Sequence, residues 1–363
     1  MSFLNEMFFN KTPMFLLADF EWIKSYTLWK YPHHKKNFSE ADYYQIAYDD
    51  FHCSFGIGYL SLVDPIKIKL GNQAWTETKS GVYLRKSIKL MEKDEYPLFI
   101  KNPYSFIQRL CLDRLYNEKI NNNILSKSFE EFKIEFSEKK NTFTKLNANG
   151  KKYFYMGIIS APLDFISDYL RGTKELLVDI HTIPEMVLQA CKVVSQLILQ
   201  QAQSYRKYND MNYLLLPLHL PGMLNRSDFE KFFYPTYKYI LDDLVQNNFK
   251  LIILFEGNVN RFIDIISDIN SKNVITHFES LEVEIIQEAF KGKKTYISGF
   301  YPSYLLKYCG LKECIAYAKN LKKKTMHNDR YIFSTNISLY TDKDIKHENL
   351  LGVHEFLNND DNL

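Results

Sequence analysis

Four side chains of this sequence could move protons or bind a metal if the fold gathered them: His219, Glu256, His277 and Glu279. Glu256 ends the apolar run Leu251-Ile252-Ile253-Leu254-Phe255. A carboxylate at such a strand end sits at the rim of a low-dielectric cavity, where desolvation raises its pKa unless a cation or hydrogen bonds compensate. That group suits general acid–base work or metal ligation. His277-x-Glu279 closes the next apolar run, and residues two apart on a strand point to the same side. With His219 from the preceding run, three or four N and O donors could hold a divalent metal, Zn, Fe, Mn or Co rather than a thiophilic ion. The competing expectation is that His277 is a satisfied core histidine and that both glutamates pair with Lys or Arg at the rim.

Three further residues are candidates for substrate binding. Asp19 ends the first apolar run, with Glu21 either beside it or opening the following helix. Arg171 lies in a glycine-containing turn, where its guanidinium could grip a carboxylate or phosphate bidentately, or instead pair with Asp164 or Asp168 to fix the loop. Asn336 could donate to a substrate carbonyl or cofactor amide, or merely satisfy the backbone at a strand end.

The elements that would position these residues are legible as periodicity. Short apolar, β-branched or aromatic runs occupy Met14–Phe20, Phe55–Leu60, Phe154–Ser160, Tyr213–His219, Leu251–Gly257, Val274–Glu279, Tyr296–Phe300 and Tyr331–Asn336. Longer segments of helical spacing separate most of them, including Glu185–Lys207, Asp228–Asn247 and Leu311–Lys322. Ser227 and Glu230 have the spacing of a capping box, and Pro235 should kink the helix that follows. This alternation predicts an α/β fold, a (β/α)8 TIM barrel with an N-terminal helical and hairpin elaboration. We expect one barrel domain over residues 1–363, with an inserted cap at about 63–150 where the alternation breaks down. In such a barrel the functional residues sit at the C-terminal strand ends, which is where six of the seven candidates fall, Arg171 lying in the turn beyond the third run.

Composition narrows the partners. The 363 residues carry 46 Lys and Arg against 43 Asp and Glu, a net charge of +3 spread along the chain, too weak a field to suggest nucleic acid. Aromatic residues reach 15%, which looks compositional rather than functional. Five cysteines without close pairing do not describe a disulfide framework, and a reducing cytoplasm is the simpler expectation. The first residues do not resemble a secretory signal and no apolar stretch approaches the ~20 residues of a membrane span, so no membrane partner is expected. His33-His34-Lys35-Lys36 and Lys322-Lys323-Lys324 read as solvated charge, and no phosphate-binding glycine loop or serine-hydrolase motif occurs.

Several phrases, in order, carry a resemblance: Gly157 to Asp168 followed by Tyr169-Leu170-Arg171-Gly172-Thr173-Lys174, then Ser227-Asp228-Phe229-Glu230-Lys231-Phe232-Phe233-Tyr234-Pro235. Phe255-Glu256-Gly257-Asn258, Ile297-Ser298-Gly299-Phe300-Tyr301-Pro302 and a closing helix over Asn349 to Leu357 complete it. The chain resembles the uroporphyrinogen decarboxylase superfamily, which also holds the corrinoid and coenzyme M methyltransferases. The resemblance implies one-carbon transfer between a small-molecule substrate and a corrinoid carried by a separate protein, and a homodimer. Zinc-dependent relatives place His-x-Cys and a later Cys at positions that correspond here to Leu254, Glu256 and about Ile337. The porphyrinogen decarboxylases carry an Arg-rich segment where this chain reads Asp19-Phe20-Glu21-Trp22. A thiolate zinc site is therefore not expected, and methyl transfer is favoured over the alternatives, decarboxylation of a tetrapyrrole or other carboxylate and a catalytically degenerate binding protein.

Overall fold

The computed structural model describes residues 14–34, 38–51, 54–59, 73, 75–77, 83–86, 88–116, 120–150, 153–209, 211–280 and 282–359. Its parallel sheet has eight strands: β1 (Phe15–Leu17), β2 (Ser54–Tyr59), β5 (Tyr153–Ile158), β6 (Tyr213–Leu218), β7 (Lys250–Phe255), β8 (Val274–Phe278), β9 (Tyr296–Tyr301) and β10 (Tyr331–Thr335). They are ordered β1-β2-β5-β6-β7-β8-β9-β10, and β3 (Trp75–Glu77) and β4 (Tyr83–Arg85) form a separate antiparallel pair. Parallel bridges from Met14 to Phe333 and from Ala18 to Leu339 join the first strand back to the last. The fold is α/β, a (β/α)8 barrel, and each apolar run of the sequence corresponds to one of its strands.

By internal contacts the chain falls into two compact units. The first comprises Met1–Gly58, Lys140–Met156 and Lys250–Leu363. Its register aligns the strand ends: Leu254 lies beside His277, Phe255 beside Phe278, His277 beside Ser298, and Tyr301 beside Thr335. The rings of Phe255 and Phe278 stack with centroids 5.1 Å apart. Gly299 has φ +101, and a Cβ built on it would lie 2.4 Å from the Phe278 carbonyl oxygen, so only glycine permits this close approach of β9 to β8. Phe300 follows at φ 73, a conformation costly for a residue with a side chain. The aromatic excess is spent in packing: Trp22, Tyr26, Tyr44, Tyr153, Tyr296 and Tyr301 are all fully buried. Burial of each large apolar side chain contributes about 1.5–3 kcal/mol.

The second unit comprises Tyr59–Lys139 and Gly157–Phe249. Before β5 it holds the β3/β4 hairpin and the helices Tyr96–Lys101 and Pro103–Asp113; of the expected cap, residues 63–72 and 78–82 lie outside the described residues. The long amphipathic helix expected over Glu185–Lys207 runs Pro184–Asn209, and its Tyr205 ring fills the space over Gly157. The helix expected to start at Asp228 starts earlier. Asn225, not Ser227, is the N-cap, its Oδ1 accepting from the Asp228 N–H at 2.9 Å. Pro235 then takes one of the first positions of Tyr234–Gln246, and the π-helical segment Phe229–Phe233 absorbs the hydrogen bond that proline does not make. Among the described residues no helix is long and apolar enough to cross a membrane.

Candidate active site

The C-terminal ends of β7, β8 and β10 open onto a cavity of about 280 Å³ in the first unit. Its walls include Leu254, Phe255, Glu256, His277, Glu279 and Asn336 from these strands, with Ile337, Ser338, Tyr340 and Asp344 from the segment after β10. Four of the seven sequence candidates therefore meet in one place. The positions implied for zinc ligands, Leu254, Glu256 and Ile337, also line this cavity.

A hydrogen-bonded frame fixes the group. The Glu279 carboxylate accepts from the Gly257 N–H at 2.6 Å, made possible by the tight turn in which Gly257 takes φ 70. The Asn336 side chain donates from Nδ2 to the Glu279 carbonyl at 3.0 Å and accepts at Oδ1 from the Ser303 N–H at 2.9 Å. Its own N–H donates to the Tyr301 carbonyl at 2.8 Å. Asn336 thus ties β8, β9 and β10 together, which is the backbone-satisfying role left open by the sequence rather than the role of a substrate donor.

His277 is buried, and its Nε2 is 3.1 Å from the Asn336 carbonyl oxygen. A carbonyl only accepts, so Nε2 carries the proton and Nδ1 faces the Ser298 hydroxyl at 3.4 Å. Burial pushes the imidazole pKa down to about 4, partly opposed by the bond to Asn336. The ring is neutral at physiological pH and both nitrogens are engaged. The expectation of His277 as an acid, base or metal ligand gives way to its alternative, a satisfied core histidine on the cavity wall.

Asp19 is exposed and caps the helix Phe20–Lys30, accepting from the Glu21 N–H at 3.0 Å, while Glu21 sits in the first turn and pairs with Lys24. Its charge, with those of Glu256 and Asp344, still raises the Tyr340 phenol, whose largest upward push is desolvation. Tyr340 and Asp344 are site residues that strand-end reasoning missed, because they belong to a loop. Asp344 closes that loop by accepting from the N–H groups of Tyr340 at 2.6 Å and Thr341 at 2.7 Å, and the polar Thr341-Asp342-Lys343-Asp344 run was the available signal.

The second unit holds the other two candidates. His219 follows β6 and its Nδ1 lies 2.9 Å from Asp168 Oδ2, while buried Asp164 accepts from the Leu220 N–H at 2.8 Å. Arg171 ends the π-helical segment Ile166–Arg171 and is buried. Its Nε donates to Asp179 Oδ2 at 2.6 Å, Nη2 to Asp179 Oδ1 at 3.3 Å and Nη1 to the Met91 carbonyl at 2.9 Å. Tyr96 completes the cluster by donating to Asp179. The guanidinium pairs with neither Asp164 nor Asp168, and its buried bidentate bond leaves it a structural tie rather than a grip for an anion.

Among the described residues no three His, Cys, Asp or Glu side chains converge in a way that could hold a metal ion. Leu254 and Ile337 are hydrocarbon where zinc ligands were implied, and His277 has spent both nitrogens. Glu256, His277 and Glu279 of the first unit form no such group.

Eight parallel strands with ionisable side chains gathered around a cavity at their C-terminal ends define the class of barrels that carry their active sites at that rim. The profile described as uroporphyrinogen decarboxylase (URO-D) matches residues 130–351, more than half of the chain. The chain belongs to the uroporphyrinogen decarboxylase family. Among solved structures, a methyltransferase from Methanosarcina mazei is similar in fold, with 13% identity, a TM-score of 0.63 and coverage of 94% of this chain and 92% of its own. No curated protein matches.

Proposed function

We propose that this chain is a methyltransferase of the uroporphyrinogen decarboxylase family, moving a methyl group between a small substrate held in the β7/β8/β10 cavity and a corrinoid carried as co-substrate on a separate protein. The observation that carries the reading is the cavity itself, with Glu256 and Glu279 on its wall and hydrocarbon beside them. Its volume, about 280 Å³, falls just below the usual range of ligand sites, roughly 300 to 1,000 Å³. That favours a compact substrate over a tetrapyrrole, and carboxylates on the wall would oppose a polyanion. The fold likeness to a methyltransferase supports the same reading.

Glu256 holds or releases the proton of the substrate heteroatom as the methyl leaves or arrives, a role worth about 10²- to 10⁴-fold in rate. Glu279, fixed by the Gly257 N–H, orients the substrate, and Asn336 positions Glu279. Leu254, Phe255 and Ile337 exclude water from one side. The test is anaerobic conversion of cob(I)alamin to methylcobalamin with candidate methyl donors, followed by absorbance. Turnover that falls at least roughly 10²-fold in Glu256→Gln supports the reading; turnover untouched by that change contradicts it.

A further inference from the structure

We propose that the loop after β10, residues 337–346, is a pH-sensitive flap on the cavity, held in place by the docking of His347 among the rings of Trp22, Tyr26 and Trp29 and loosened when that imidazole takes up a proton. Ile337, Ser338, Tyr340 and Asp344 of this loop line the cavity. His347 follows it directly, as the first residue of the closing helix His347–Asn358. All of these residues belong to the first unit. The device acts on whatever the cavity holds, so it goes beyond the reading of methyl transfer and does not depend on it.

The dock is one face of the helix Phe20–Lys30, because residues 22, 25, 26 and 29 follow the three- and four-residue spacing of helix neighbours. The imidazole centroid lies 5.5 Å from the Trp22 ring, 5.6 Å from Tyr26 and 5.7 Å from Trp29. Trp22 and Tyr26 are fully buried and Trp29 is partly exposed. The Ser25 hydroxyl donates to the Trp22 carbonyl at 2.7 Å, so its oxygen accepts from His347 Nε2 at 3.3 Å. Nε2 therefore carries the proton of the neutral ring, and Nδ1 carries the lone pair. Among the described residues Nδ1 is buried without a hydrogen-bond partner, and so is the Trp22 indole N–H. A proton arriving at Nδ1 thus makes a buried donor with no acceptor, in a cluster that already holds an unpaired donor.

The charged groups nearby do not supply that acceptor. On the neighbouring helices the Tyr26 hydroxyl donates to Asp50 at 2.8 Å, Lys30 pairs with the same carboxylate, and Glu21 pairs with Lys24. On the closing helix His354 packs on Phe51 and bonds Asn358, while Lys346 reaches the Cys309 carbonyl and Lys322 the Leu357 carbonyl. Burial holds the His347 imidazole below the usual histidine pKa, opposed by the charges of Asp342 and Glu348. An undocked ring meets water and titrates near its ordinary 6.5. The undocked state therefore takes the proton first. Docking is at full strength above pH 6.5 and weakens below it, by at most about tenfold per pH unit. The strand side of the loop is tied more closely, Leu339 exchanging bonds of 2.8 and 2.7 Å with Leu17 and Asp19, whereas the Lys346 N–H reaches the Leu306 carbonyl at 3.2 Å. Release of His347 loosens the stretch from Tyr340 to Lys346.

The experiment is hydrogen–deuterium exchange of the full chain at pH 7.5, 6.5 and 5.5, read by mass spectrometry and corrected for the intrinsic rate, on wild type and His347→Gln. Glutamine keeps an N–H for Ser25 and does not titrate. Protection of peptides spanning residues 337–350 should fall between about three- and tenfold from pH 7.5 to 5.5 in the wild type and stay level in His347→Gln. Any loss in the β7 and β8 peptides, where His277 contributes, should be the same in both proteins. A second readout needs no variant: a protonated imidazole quenches indole, so tryptophan emission of the wild type should step down with a midpoint below pH 6.5. Loop protection that holds as pH falls, an equal fall in His347→Gln, or a midpoint at or above 6.5 would each overturn the proposal. Neither readout contains cobalamin or a methyl donor, so their failure is separate from failure of methyl transfer.

Discussion

His277 donates from Nε2 to the carbonyl oxygen of Asn336 at 3.1 Å, joining a neutral, buried imidazole on β8 to the residue that follows β10. Burying that ring in its neutral form is a pH-dependent contribution to stability, which the bond to Asn336 partly offsets. With a folded pKa of about 4 against 6.5 in the unfolded chain, the unfolded state takes up the proton first as pH falls. The contribution is complete above about pH 6.5 and is lost between there and pH 4, at about 1.4 kcal/mol per pH unit. Urea unfolding at pH 7, 6 and 5 checks this: the wild type should lose stability over that window, and His277→Gln should lose less of it.

Asn336→Ala removes both the donor to the Glu279 carbonyl and the acceptor for the Ser303 N–H. It should lower stability by about 1–3 kcal/mol, since buried groups lose partners. If Asn336 is a positioning residue, kcat should fall with KM little changed for a methyl donor that turns over; a rise in KM alone would instead make it a substrate contact.

Gly299→Ala should destabilise by about 2 kcal/mol or more, because φ +101 is strained for alanine and the new Cβ would press against the Phe278 carbonyl. Thermal unfolding reads this directly, and an unchanged Tm would mean that β8 and β9 do not approach as described.

Arg171→Met should cost about 3–5 kcal/mol, because Asp179, with 1% of its side chain exposed, would keep a buried charge without its cation. Removing both charges in Arg171→Met/Asp179→Leu should cost less than the single change. Equal costs would show that the ion pair contributes little beyond packing.

The barrel was legible because its strands are apolar runs, most of them ended by a polar residue, and β7 and β8 show why: Leu251 to Phe255 and Val274 to Phe278 are buried along their length. Other features depended on tertiary contact. Arg171 meets Asp179 eight positions on, beyond the i,i+4 spacing of a single helix, because Gly172 at φ 83 turns the chain between two helical segments. The partner that satisfies His277 is a backbone carbonyl 59 residues away, to which sequence pattern gives no clue. The Ser227 cap failed for a local reason, since Asn225, two residues earlier, is an equally good cap and reaches the Asp228 N–H.

The central claim is that the Glu256 carboxylate acts on the methyl-bearing substrate in this cavity. Its most direct measurement is the initial rate of cob(I)alamin methylation by wild type and Glu256→Gln, with a methyl donor that the wild type turns over and with thermal unfolding in parallel. The account predicts a fall of at least roughly 10²-fold in rate at unchanged Tm. A Glu256→Gln protein that matches the wild-type rate would contradict it.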